Sequence, residues 1–139
     1  MGQGIFGTFQ APARSSADGR CAVRAVEILV NRALTADPNE AWDMAAAELK
    51  LDLQNLHSCA EAAFKGLWWA GVIKGGVPKA HFKPEKNADY ALQGRTILQS
   101  DPGLNMTQVW ARIHGAPTYK NGQMEVLFAL RDEGLIIGL

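Results

Sequence analysis

Long apolar runs are missing from this chain. No stretch of its 139 residues could span a bilayer. The opening MGQGIFGTFQAPARSS has no basic start followed by a long apolar core, which is the pattern of a secretory signal. Net charge is missing too: fourteen basic and fourteen acidic side chains cancel, so no global field draws the protein to nucleic acid or anionic lipid. Cysteine is scarce, with Cys21 and Cys59 far apart inside apolar helical patterns. Free buried thiols fit that placement better than a disulfide, which needs an oxidising compartment. A cytoplasmic protein is expected, with no membrane contact.

The motifs of chemistry are equally thin. His57, His81 and His114 form no HExxH and no metal-ligand spacing with cysteine or carboxylate. The glycine-rich GQGIFGTF and KGGVPK do not lie between a strand and a helix, so neither reads as a phosphate cradle. No pair of carboxylates stands out as acid and base. Accordingly no catalytic residue, metal or cofactor is expected.

What the chain does have is size and helical patterning. Hydrophobic residues make up 47% and charged residues 20%, a globular composition long enough for one domain with its own core. Residues 1–17 read as an arm whose large apolar groups are Ile5, Phe6 and Phe9. A first helix is expected from Asp18, as N-cap, through Leu34. Asp37-Pro38-Asn39-Glu40 opens a second, with Trp42, Ala45, Ala46 and Leu49 on one stripe. Ser58 and Glu61 suggest a capping box for a third helix whose Ala60, Ala63, Phe64 and Leu67 face inward, with Gly71 as its left-handed stop. Asn87 is expected to cap a fourth helix, Met106 to His114 forms a fifth, and Asn121 caps a sixth that Gly134 stops.

The two halves match in order. AVRAVEIL pairs with ALQGRTIL at an offset of 69, Trp42 with Trp110 at 68, and Phe64, Leu67, Gly71, Ile73 and Gly75 with Leu127, Leu130, Gly134, Ile136 and Gly138 at 63. The expected fold is all-α: six helices as two tandem three-helix units, winged-helix-like or helical-repeat, about a pseudo-two-fold. A little β structure is allowed near the N-terminus or over 72–82. Residues 18–75 form unit one, 74–87 a basic loop and 88–139 unit two, within a single domain over 18–139.

Several of these segments resemble a small uncharacterised bacterial family. They are Ser58-Cys59, Ala63-Phe64, Gly71 to Gly75, Lys83 to Ala91, Asn121-Gly122-Gln123-Met124 and Gly134-Leu135-Ile136. The resemblance covers roughly the last two-thirds of the chain and implies no activity or catalytic residue. Trp68-Trp69 departs from that pattern, where more polar residues are expected.

Charge is segregated. Asp37 to Glu61 carries six acids and one lysine, whereas Ala62 to Ala88 carries Lys65, Lys74, Lys79, Lys83 and Lys86 against Glu85. By the offset, Trp68 and Trp69 correspond to Arg131 and Asp132, residue types that are seldom buried unless paired. The expected function is therefore a non-enzymatic protein-interaction module that self-associates as a homodimer or takes an unknown protein partner. Trp68, Trp69 and Phe82 form its contact surface, the alternative being that the tryptophan pair covers the other repeat inside the monomer; a fully buried Trp68 ring would end the aromatic-patch reading. The alternative is a nucleic-acid-binding accessory or regulatory protein using Lys74, Lys79, His81, Lys83 and Lys86, with aromatics nearby for stacking. An enzyme is the third reading and needs Cys59, His57, His81 and Glu61 to converge.

Overall fold

The computed structural model describes residues 16–32 and 37–139. The arm's Ile5, Phe6 and Phe9, and the end of the first helix at Leu34, lie outside the described residues. Six α-helices follow in order: α1 (Ala17–Glu27), α2 (Pro38–Glu48), α3 (Ser58–Trp69), α4 (Lys86–Ser100), α5 (Met106–Arg112) and α6 (Gln123–Asp132). A π-helical turn, Ile28–Arg32, continues α1, and a 3₁₀ turn, Leu53–Asn55, precedes α3. The described residues form no strand or sheet. Their one β feature is an isolated antiparallel bridge between Ile73 and Ile136, so the expected strand over 72–82 reduces to a single residue, and 74–85 carries no wing.

The helix stops follow the expectation. Gly71 and Gly134 both take positive φ, +78° and +73°, the conformation glycine reaches without a Cβ clash. The helix starts follow it only in part. Asp37 caps α2, accepting from the Asn39 N–H at 2.9 Å, with Pro38 in the first turn. Asn105 and Gln108 form a reciprocal capping box on α5. Elsewhere the cap moves. Ser16, not Asp18, caps α1; His57 precedes α3 without a side-chain cap; Glu85, not Asn87, caps α4; and Gly122, not Asn121, precedes α6. The reason is tertiary. Asp18 and Asn87 are 4% and 8% exposed and bond across the fold, Asp18 to His57 and Asn87 to Gln123.

The core is one cluster drawn from all six helices. Phe64, Leu67, Leu98, Met124, Leu127, Leu130, Ile73 and Ile136 are fully buried within it. Each tryptophan of the short middle helices rests on an aromatic neighbour. Trp42 lies 5.6 Å from Phe64, and Trp110 meets Tyr90 edge-on at 5.5 Å. The dominant helix pairings are α3 on α4 and α1 on α6, followed by α1 on α2 and α3 on α6, so the first helix of each half lies against the third helix of the other.

The bonds at the bridge come in matched pairs. Lys74 N–H donates to Leu135 O and Ile137 N–H donates to Val72 O, both at 2.8 Å. Moving either bond by 63 residues generates the other. The residues this offset pairs in the sequence, Ile73 and Ile136, are the two that meet.

Candidate functional site

The third helix and the loop after it position every residue singled out for binding except Lys86, which opens α4. Trp68 is 4% exposed. Its ring lies under Gly76, where an added Cβ would stand 3.4 Å from Trp68 Cε3. The burial removes Trp68 from the expected contact surface. The residue matched to it, Arg131, does reach water in part, lying across the Phe128 ring at 4.4 Å with its side chain 25% exposed. Of the two placements the sequence leaves open for Trp68, the structure has the buried one, because Gly76 beyond the helix stop rests on its ring.

Trp69 stays half-buried. The Lys79 ammonium sits 5.1 Å from the centre of its ring, and Lys79 N–H donates to Trp69 O at 2.9 Å. The loop is thus tied to the end of α3 by one backbone bond and one cation–π contact, the latter about 0.5–1 kcal/mol at an exposed site. Phe82 is half-buried, while Lys74, Lys79, His81, Lys83 and Lys86 are exposed. His81 holds a left-handed φ of +59°. No ion pair reaches these lysines among the described residues, so their charge faces solvent.

The acidic side lies at the other end of α3, a 12-residue helix and therefore about 18 Å long. Burial raises the pKa of the half-buried Glu61 carboxyl, and the carboxylates of Asp43 and Asp37 add to the effect while Lys65 opposes it. Asp43 and Asp37 therefore lie near Glu61, with the Lys65 ammonium also within reach of it. Glu61 thus lies in the first turn of α3, while Lys74 and Lys79 lie beyond its last residue, Trp69, to which Lys79 is tied.

The groups proposed for catalysis do not converge. His57 is engaged elsewhere: its Nδ1 lies 2.6 Å from Asp18 Oδ2, and its backbone N–H donates to Asp18 Oδ1 at 3.0 Å. His81 sits in the loop beyond the opposite end of α3 from Cys59, His57 and Glu61. Among the described residues, no group of three or more His, Cys, Asp and Glu side chains could hold a metal ion, and no helix is long and apolar enough to cross a membrane. Sequence reasoning missed the Asp18–His57 pair. Its only trace was an acid at a helix start, which reads equally well as a cap.

Residues 16–137 match the model of a family of unknown function (DUF6979). The chain belongs to that family. No curated protein and no solved structure matches it. DUF6979 covers α1 to α6 and the bridge, so it includes both the basic loop and the acidic surface.

Two free thiols in this DUF6979 chain differ sharply. Cys21 is fully buried, its Sγ 3.3 Å from Trp42 O. Burial, with Asp18, Glu61 and Asp43 adding to it, pushes its pKa up to about 12 from 9.0. At a given pH near neutrality the thiolate fraction thus falls roughly a thousandfold. Cys59 is half-exposed in the first turn of α3. Titration with a disulfide reagent at pH 8 is expected to count one thiol per native chain and two after unfolding. Rapid reaction of both in the native state would contradict the burial of Cys21.

Proposed function

We propose that this protein is a cytoplasmic, non-enzymatic interaction module that self-associates. Its contact surface is the basic loop 74–86, with Trp69 and Phe82 as apolar anchors, and its partner surface is the acidic region of α2 and α3 on a second copy. The observation that carries this reading is the set of four exposed lysines, Lys74, Lys79, Lys83 and Lys86. They lack ion-pair partners among the described residues, while Glu61 in the first turn of α3 lies close enough to Asp43 of α2 for that carboxylate to raise its pKa. No ion pair within the described residues joins these lysines to Asp43 or Glu61. Two copies related by a two-fold can form such pairs twice, and the same complementarity speeds their encounter.

A second reading is nucleic-acid binding. It is favoured by the half-buried rings of Trp69 and Phe82 among the lysines, because bases stack on aromatics beside a charged backbone track. Replacing Lys74, Lys79, Lys83 and Lys86 together by glutamine separates the two. Self-association through the loop predicts that the substituted chain is monomeric where the natural chain is dimeric, and that neither binds random-sequence duplex DNA. DNA binding by the natural chain that weakens steeply with salt and disappears in the glutamine variant would overturn the first reading in favour of the second.

A further inference from the structure

The helix pairings point to a second way in which two copies of this chain meet, one that does not depend on the charged surfaces. α1 lies on α6 and α4 lies on α3, so both pairings cross from one half of the chain to the other. The matches extend to detail. At the α3–α4 crossing Gly66 faces Ala88, and the equivalent positions on α6 and α1, Ala129 and Gly19, are both buried. Gly75 abuts Val30, and Gly138, 63 residues on, abuts Gln99, 69 residues on from Val30. A groove of about 280 Å³ is lined in part by Arg20, Val23, Arg24 and Glu27. A groove of about 340 Å³ is lined in part by Asp89, Leu92, Gln93 and Thr96, each 69 residues further on.

We propose that the chain is two intertwined copies of one three-helix unit, and that the units exchange between molecules. Residues 86–139 of one molecule then take the place of residues 86–139 in its partner, making the same α1–α6, α3–α4 and Ile73–Ile136 contacts. Neither half buries its apolar face alone, because Leu67 and Phe64 on α3, and Leu127 and Leu130 on α6, belong to the shared core. Opening the link between halves has to release the Lys79 bond and cation–π contact to Trp69 and the packing of Gly76 on Trp68, but no regular secondary structure. Residues 74–85 form no helix or strand, contain Pro78 and Pro84, and extend to roughly 40 Å at full stretch. Exchange of identical elements through such a hinge conserves every native contact within the two bodies, at the cost of passing through a separated state.

The bridge supplies the test. Ile73 and Ile136 face each other without exchanging their own backbone bonds, an arrangement that brings Cα atoms to about 4.5 Å, within the range a disulfide spans. The variant Ile73→Cys/Ile136→Cys/Cys59→Ser is unfolded, refolded at low and at high protein concentration, oxidised in air and run on a denaturing gel without reductant. Exchange predicts a covalent dimer whose share rises with refolding concentration. A dimer in solution that runs as a covalent monomer at every concentration overturns it, while leaving the charged-surface reading standing. Should the cysteine variant fail to fold, the natural chain serves. A dimer refolded at high concentration persists for hours after dilution into high salt if halves are exchanged, because its return requires separation of the halves. Dissociation within the mixing time overturns the proposal.

Discussion

Gly66→Val is expected to cost about 3 kcal/mol, lowering the thermal midpoint by roughly 10 °C. A Cβ at Gly66 would stand 2.1 Å from Ala88 Cβ and 2.8 Å from Ala88 Cα. Those atoms belong to a side-chain stub and a backbone, so neither can swing aside. The improved helix propensity of a non-glycine residue returns less than 1 kcal/mol, so overpacking wins. Because α3 on α4 is one of the pairings that joins the halves, the clash acts on the whole fold rather than on one helix. Gly103, whose nearest contact for a Cβ is Asp101 Oδ1 at 4.0 Å, is the control: Gly103→Ala should stay within about 0.5 kcal/mol of the natural chain. A midpoint for Gly66→Val within that same margin would mean that the α3–α4 crossing is wider than described.

The Asp18–His57 pair should behave as a unit. Asp18 is 4% exposed and accepts two hydrogens from a single residue, one from the His57 backbone and one at Nδ1. Its contribution is to fasten the first turn of α1 to the start of α3, where the helix itself offers no side-chain cap. Gly122 seals the site: a Cβ there would lie 2.4 Å from Asp18 Oδ2 and 2.8 Å from Ala60 Cβ. Removing His57 leaves a buried carboxylate with one donor fewer, and removing Asp18 strands the His57 N–H. Each of Asp18→Ala and His57→Ala is expected to cost about 2 kcal/mol. The double variant should cost no more than the worse single, because both changes delete the same contact. Denaturant unfolding of the three variants reads this directly, and simple additivity would show that the two side chains stabilise the fold separately.

Those two sites mark where the sequence was legible and where it was not. Gly71 and Gly134 announce themselves because a helix that must turn left needs a residue without Cβ, and that demand is local. Asp37-Pro38 is local for the same reason. Asp18 and Asn87 look like caps by the same local rule, yet each is claimed by a residue far along the chain, His57 and Gln123. A short acceptor at a helix start cannot reveal whether its partner is the next turn or another helix. The stripe of Phe64 and Leu67 and its counterpart Leu127 and Leu130 identify buried faces, because helical periodicity reports burial. It does not report what lies on the remaining face, so Trp68 reads equally well as exposed or buried until the turn at Gly76 is seen resting on its ring. The lysines were the most readable part of the candidate site, since exposure of a charged loop follows from the cost of burying it. That Asp43 of α2 lies near Glu61 of α3 comes from the packing of the two helices and needed the fold.

Sedimentation velocity of the natural chain, at one protein concentration and in low and high salt, tests the charge-mediated self-association most directly. At about 1 M salt the Debye length shrinks to about 3 Å, so contacts between the exposed lysines and the acidic region of a second copy lose most of their attraction. For chain refolded at low concentration, so that halves are not exchanged between molecules, the prediction is a dimer in low salt and a monomer in high salt, with the Lys74, Lys79, Lys83 and Lys86 glutamine variant monomeric in both. A natural chain that is monomeric in low salt at every accessible concentration, or a dimer whose mass ignores salt and the four substitutions, would contradict it.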